Sequence, residues 1–136
     1  MQALTVQILT GVLLASVLIA VARWRRREDL FFGIGLLVTA AFYLMAALWA
    51  RELAALPLEV AGLIAFGTIG LLGIRGWRRL LAVGWIAHVG WDVLLHGGES
   101  ARYAPDWYPM VCVGFDLFLA GYIAGSTLRR TGPEER

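Results

Sequence analysis

The stretch GWIAHVGWDVLLHGG, residues 84–98, sets two requirements at once. His88, Asp92 and His96 recur at four-residue spacing, the period of one helix face, and everything between them is Trp, Ile, Ala, Val, Gly or Leu. Polar groups on so apolar a helix belong either to the core of a soluble domain or to a membrane span, and the rest of the chain decides between the two. It has 136 residues, of which 60% are hydrophobic, and a mean hydropathy of +0.71, outside the range of a soluble globule. The composition predicts an integral membrane protein.

A bilayer core of roughly 30 Å needs about 20 helical residues, and five apolar runs meet that need: 4–22, 30–49, 56–74, 80–96 and 108–127. Their connections are short, and no repeat or low-complexity tract separates them. Backbone groups in lipid must be satisfied within their own segment, so apolar runs of this length are helices. The expected fold is all-α, a single five-helix transmembrane domain over residues 1–128 with a disordered cytoplasmic tail at 129–136. Span 1 is not a secretory signal, because its arginines follow the apolar run instead of preceding it. Span 3 is the most diluted, by Glu59 and by Ala61, Gly62, Ala65, Gly67, Thr68 and Gly70; so many small residues allow close backbone approach and predict a span buried within the bundle.

All twelve basic residues are arginine. Arg23, Arg25, Arg26, Arg27, Arg75, Arg78, Arg79, Arg129, Arg130 and Arg136 fall on one side of the alternating spans, and only Arg51 and Arg102 on the other. The positive-inside rule then places the N-terminus outside and the C-terminus inside. The pI near 9.1 follows from arginines anchored at an anionic inner leaflet, so it implies membrane lipids as partners and no nucleic acid. Trp24, Trp49, Trp77, Trp107 and Tyr108 fall at the expected interfaces, where aromatic belts belong.

At about 1.5 Å of rise per residue, His88 lies near mid-membrane, Asp92 about 6 Å and His96 about 12 Å further out. Glu59 enters near the outer end of span 3. Asp116 on span 5 and Tyr43 on span 2 reach the level of Asp92 and His88. Each ionisable group facing lipid would cost about 2.5–3.5 kcal/mol on insertion scales, so these groups must face one another, water or a metal. Histidine and carboxylates at one-turn spacing, joined by carboxylates from other helices, are how bundles hold transition metals. Glu59, His88, Asp92, His96 and Asp116 are the candidate ligands of a hypothetical zinc, iron or manganese ion, with His88, Asp92 and His96 as candidate catalytic groups. His88 and His96 are too far apart along the axis to share one ion, so two metals sit in line or one histidine serves as acid, base or orienting partner. The plainer reading is hydrogen-bonded cross-links between helices, each worth about 0.6–2 kcal/mol.

Tyr43, Trp85, Trp91 and Cys112 complete the candidate site as supporting residues. Trp85 and Trp91 flank the His–Asp pair as an aromatic wall or as packing. Cys112, the only cysteine, excludes an intrachain disulfide and stands one turn from Asp116, where a small apolar role is the commoner one. The connector HGGESARYAPDWYP, residues 96–109, has the Gly-Gly and proline content of a lid over an outward-facing pocket, or of a simple interfacial link.

The run Gly84-Trp85…His88…Trp91-Asp92…His96, followed by Pro105, Pro109, Cys112 and Asp116 and preceded by Tyr43 and Glu59, resembles a family of small multi-spanning membrane proteins of bacteria and fungi, a domain of unknown function. The likeness covers roughly residues 40–120. Gly97 replaces the second His of that family's pattern, and the Tyr43–Glu59 interval is longer. The resemblance implies one site built from these residues and supplies no activity; the expected location is a bacterial inner (plasma) membrane.

Three functions stay open. One is a membrane-embedded metal-dependent hydrolase or oxidoreductase acting on an apolar or lipid-like small molecule; no HExxH, Gly-x-Ser-x-Gly or Ser/Lys pair narrows the reaction. Another is a relay or transporter of protons or metal ions. The third is a structural subunit of a homo-oligomer or larger membrane complex, which the small size and glycine-rich helices suit.

Overall fold

The computed structural model describes residues 2–97 and 103–131. The described residues form five helices and no strand: α1 (Gln2–Trp24), α2 (Glu28–Ala50), α3 (Leu56–Ile74), α4 (Arg78–Leu95) and α5 (Tyr108–Thr131). Local chemistry sets the turns. Arg51 ends α2 in the left-handed region (φ 59°, ψ 30°), returning its N–H to the Ala47 and Leu48 carbonyls, and a proline in the first turn of α3 fits where no helical N–H partner exists. Three residues expected in the tail, 129–131, continue α5.

Four helices, α1, α2, α3 and residues Tyr108–Arg129 of α5, are long and apolar enough to cross a membrane. The exception is α4, not the diluted α3. It begins at Arg78, two residues before the expected start, so Arg78 and Arg79 join Asp92 within 18 residues. This helix is the central one, packed against α3 and α5 and touching α2, while α2 pairs with α3 and α1 lies along α5. Apolar surroundings for α4 are supplied by its neighbours.

The expectation that α3 is buried fails. Glu59, Gly62, Phe66, Gly70 and Gly73 form one buried edge at spacings of three and four, while Ala61, Ala65 and Thr68 on the other faces are exposed. Small residues favour close approach only on the face that meets a neighbour. At the α1–α5 contact, a Cβ added to Gly11 would stand 2.0 Å from the Val111 carbonyl oxygen, and one added to Gly114 would stand 2.2 Å from that of Ile8. Backbones this close admit no side chain larger than hydrogen.

The apolar core, with Phe32, Leu36, Phe66, Leu81, Trp85, Leu119 and Ile123 at its centre, runs between two polar ends. One end holds the N-termini of α2 and α4 with the last turns of α5. There Arg78, 7% exposed, bonds Glu28 at 2.6 Å, Asp29, and Ser126 at 2.9 Å, and the Tyr122 hydroxyl donates to Glu28. At the other end the N-terminus of α3, the C-terminus of α4 and the start of α5 meet. Trp24, Trp49, Trp77 and Trp107 are all more than half exposed near helix ends. Tyr108 departs from that belt: its ring turns inward and stacks on Phe42 at 3.8 Å.

Candidate functional site

Along α4 the four-residue spacing points His88 and Asp92 at α5, and both are fully buried, as is Asp116 opposite. His88 Nδ1 lies 2.9 Å from Asp116 Oδ2 and 3.3 Å from Asp92 Oδ2. The Tyr43 hydroxyl, from α2, donates to Asp92 Oδ1 at 2.6 Å. Three helices thus fix one imidazole between two carboxyls, with a phenol holding the second oxygen of one of them.

Glu59 and His96 form a neighbouring group. His96, the residue closing α4, makes contact through Nε2 with Glu59 Oε1 at 2.9 Å and lies 3.2 Å from the Tyr103 hydroxyl, which itself donates to Glu59 Oε1 at 2.5 Å. His96 Nδ1 sits 3.2 Å from the Trp91 carbonyl. A carbonyl only accepts, so Nδ1 carries hydrogen, and the contact at Nε2 then holds one proton between imidazole and carboxyl. Burial, and then the Glu59 carboxylate it bonds, raise the Tyr103 phenol above its ordinary range and keep it an O–H donor.

The five expected ligands therefore divide three and two, joined by Tyr43, whose hydroxyl serves Asp92 while its ring stacks on His96 at 3.7 Å. His88, Asp92 and Asp116 could hold a metal ion: one donor atom from each lies within 4.8 Å of the others. A tetrahedral ion with bonds of about 2.0–2.2 Å has ligand–ligand edges of about 3.3–3.6 Å. The separations of 2.9 and 3.3 Å from His88 Nδ1 are within a few tenths of an ångström of that. Three buried atoms of this trio, His88 Nε2, Asp92 Oδ2 and Asp116 Oδ1, lack a hydrogen-bond partner, where buried polar atoms are ordinarily satisfied. Glu59 and His96 lie outside the trio.

No protein-family model, curated protein or solved structure matches the chain.

The supporting residues fall into place around both groups. Trp85, wholly buried, stands edge-on to His88 with centroids 6.4 Å apart and leans on Phe115 at 5.4 Å, while its Nε1 has no partner. Trp91 fills the space beside Gly62, where a Cβ would meet its ring at 2.5 Å, and lies 5.9 Å from His96. Cys112 is buried one turn before Asp116.

Two features escaped the reading of the sequence. Tyr103 belongs to a connector, where periodicity gives no direction; a phenol seven residues after His96 was the available sign. The Arg78 cluster was hidden because each of its members already had an explanation as a helix-end charge. Of the expected lid, residues 98–102 lie outside the described residues.

Proposed function

We propose that the chain is an integral protein of a bacterial inner membrane with five spans, N-terminus outside, and that His88, Asp92 and Asp116 bind a transition metal ion in the outer half of the bilayer. Exposed leucine, isoleucine and valine on all five helices, such as Leu13, Val38, Ile64, Leu94 and Leu117, give the outer faces the character of a lipid-facing surface. The arginine asymmetry supports the orientation. On this reading α4 is the fifth span, tolerated in lipid because its polar stripe faces α2, α3 and α5.

One observation carries the metal assignment: the donor atoms of the trio converge within 4.8 Å, and Asp92 Oδ2, which faces His88 Nδ1, has no hydrogen-bond partner. One imidazole with two carboxylates suits zinc, iron or manganese. A bound ion of this kind acidifies a coordinated water or polarises a substrate oxygen, in keeping with a metal-dependent hydrolase or oxidoreductase acting on an apolar or lipid-like molecule. Tyr43 orients Asp92, the role that hydrogen-bond partners of metal ligands play. His96 with Glu59, one proton held between them, is placed to exchange protons toward the outer surface. Of the residues on which the family resemblance rests, Tyr43, Glu59, Trp85, His88, Trp91, Asp92, His96, Cys112 and Asp116 pack in and around the two groups.

A proton relay is the second reading, favoured by the way Tyr43 connects the two groups. Titration of chelator-treated protein with zinc, iron(II) or manganese(II) separates them. Metal chemistry requires saturable binding that the double change His88→Ala with Asp92→Ala abolishes. A relay instead requires proton flux in proteoliposomes of metal-free protein.

A further inference from the structure

Two spaces border one residue, Leu30, near the α1–α2 turn. One is a cavity of about 600 Å³ walled by Arg23, Arg26, Arg27 and Arg78, together with Glu28, Asp29 and Leu30. The other is a crevice of about 550 Å³ between α1 and α2, lined by Leu14, Val17 and Val21 on one side and Ile34 and Val38 on the other, with Phe115 among its walls. The crevice exists because α1 packs along α5 and touches α2 only slightly. Its one hydroxyl, on Thr39, is turned back to the Gly35 and Leu36 carbonyls, so the surface it presents is apolar.

The two spaces differ in the property that separates the ends of a lipid. The cavity gathers four guanidinium groups against two carboxylates, both of which bond Arg78, so it carries excess positive charge. From Val21 to Leu14 the crevice follows α1 for about 11 Å at 1.5 Å per residue, with no charged side chain along it. Guanidinium groups match phosphate oxygens through paired N–H donors.

We propose that cavity and crevice form one binding site for an anionic phospholipid, with the phosphate and headgroup among Arg23, Arg26 and Arg27 and one acyl chain between α1 and α2. The site is separate from the His88 trio. It rests only on the membrane placement proposed above, and in the orientation given there it opens to the inner leaflet, where anionic lipids gather. Arg78 is already committed to Glu28 and Asp29, so it fixes the wall while the other three arginines supply the attraction. A single arginine near a charged bilayer surface is attracted whatever its position; a built site instead distinguishes these arginines from others at the same end.

The test uses the full chain in neutral detergent, with native mass spectrometry to count retained lipid. The probes are dioctanoyl phosphatidylglycerol, dioctanoyl phosphatidylcholine and inorganic phosphate. Expected is one phosphatidylglycerol per chain, held at least tenfold more tightly than phosphatidylcholine. The combined change Arg23→Gln, Arg26→Gln and Arg27→Gln should erase that preference, and Arg75→Gln with Arg79→Gln, exposed at the same end but outside the cavity, should leave it. Ile34→Trp, which fills the crevice, should cut phosphatidylglycerol retention tenfold with all arginines present, so the proposal stays testable if the triple variant folds poorly. Equal loss from the Arg75/Arg79 pair would show diffuse attraction and overturn the site, as would equal retention of the two lipids, or phosphate bound where neither lipid is. Failure of lipid selectivity in protein that still fractionates with membranes counts against this site alone.

Discussion

The two polar ends of the bundle differ in how their charges are closed. At the Arg78 end one permanent cation meets Glu28, Asp29 and Ser126, and the acids are held by a partner that never loses its proton. At the other end Asp92 and Asp116 share a single imidazole, Glu59 shares another, and no arginine among the described residues bonds any of them. In the first cluster both carboxylates meet a fixed cation, with only the Arg78 Nε left without a partner. The second reaches balance only by taking up protons or a cation, and keeping like-charged carboxyls close without a fixed counter-ion sacrifices stability that a binding function explains.

If that contrast is right, substitutions at the two ends should sort into different phenotypes. The largest stability effect belongs to Arg78→Ala, which strands two partly buried carboxylates and should cost about 3–5 kcal/mol in unfolding measurements. Arg78→Lys should recover only part, because a lysine cannot reproduce the fork between Glu28 and Asp29. A loss under about 1 kcal/mol for the alanine variant would erase the distinction.

Asp116→Asn should do the reverse. Removing one of two crowded carboxyls should change the stability of metal-free protein by less than about 1 kcal/mol while reducing metal binding at least tenfold, read by titration of chelator-treated protein. A strongly destabilised, metal-indifferent Asp116→Asn protein would make the second cluster structural like the first.

Tyr43→Phe sharpens the same comparison. It keeps the ring on His96 and deletes the donor to Asp92, so metal affinity should fall about 10- to 100-fold, the usual cost of losing a ligand's orienting partner, with the fold intact. Smallest is Cys112→Ala, expected within about 1 kcal/mol of wild type in stability and unchanged in metal binding. A loss of metal there would add the thiol to the donor set.

The helices were legible in the sequence because apolar runs of this length have one structural solution in lipid, and their observed ends differ from the expected ones by a few residues. Convergence of His88, Asp92, Asp116 and Tyr43 was also legible. Helical rise set their level along each helix, and the cost of leaving ionisable groups in apolar surroundings set their direction. Rotation about each helix axis was not available from one sequence, so the partition of Glu59 and His96 into a second group, bridged by the Tyr43 ring, could not be read. Nor could the face of α3 that is buried, since Gly62 and Gly70 on the inner edge look the same in sequence as Ala61 and Ala65 on the outer ones. Arg78 was misjudged for a related reason: inward and outward arginines at a helix end obey the same charge rule.

The central claim is that the His88 trio closes its charge with a metal ion. Elemental analysis of the wild-type protein, extracted in mild detergent and compared with His88→Ala/Asp92→Ala protein of equal fold, tests it directly. The account predicts about one zinc, iron or manganese per chain in the wild type and none in the variant. Wild-type protein that is folded and active without metal, or a variant that retains its full complement, would contradict it.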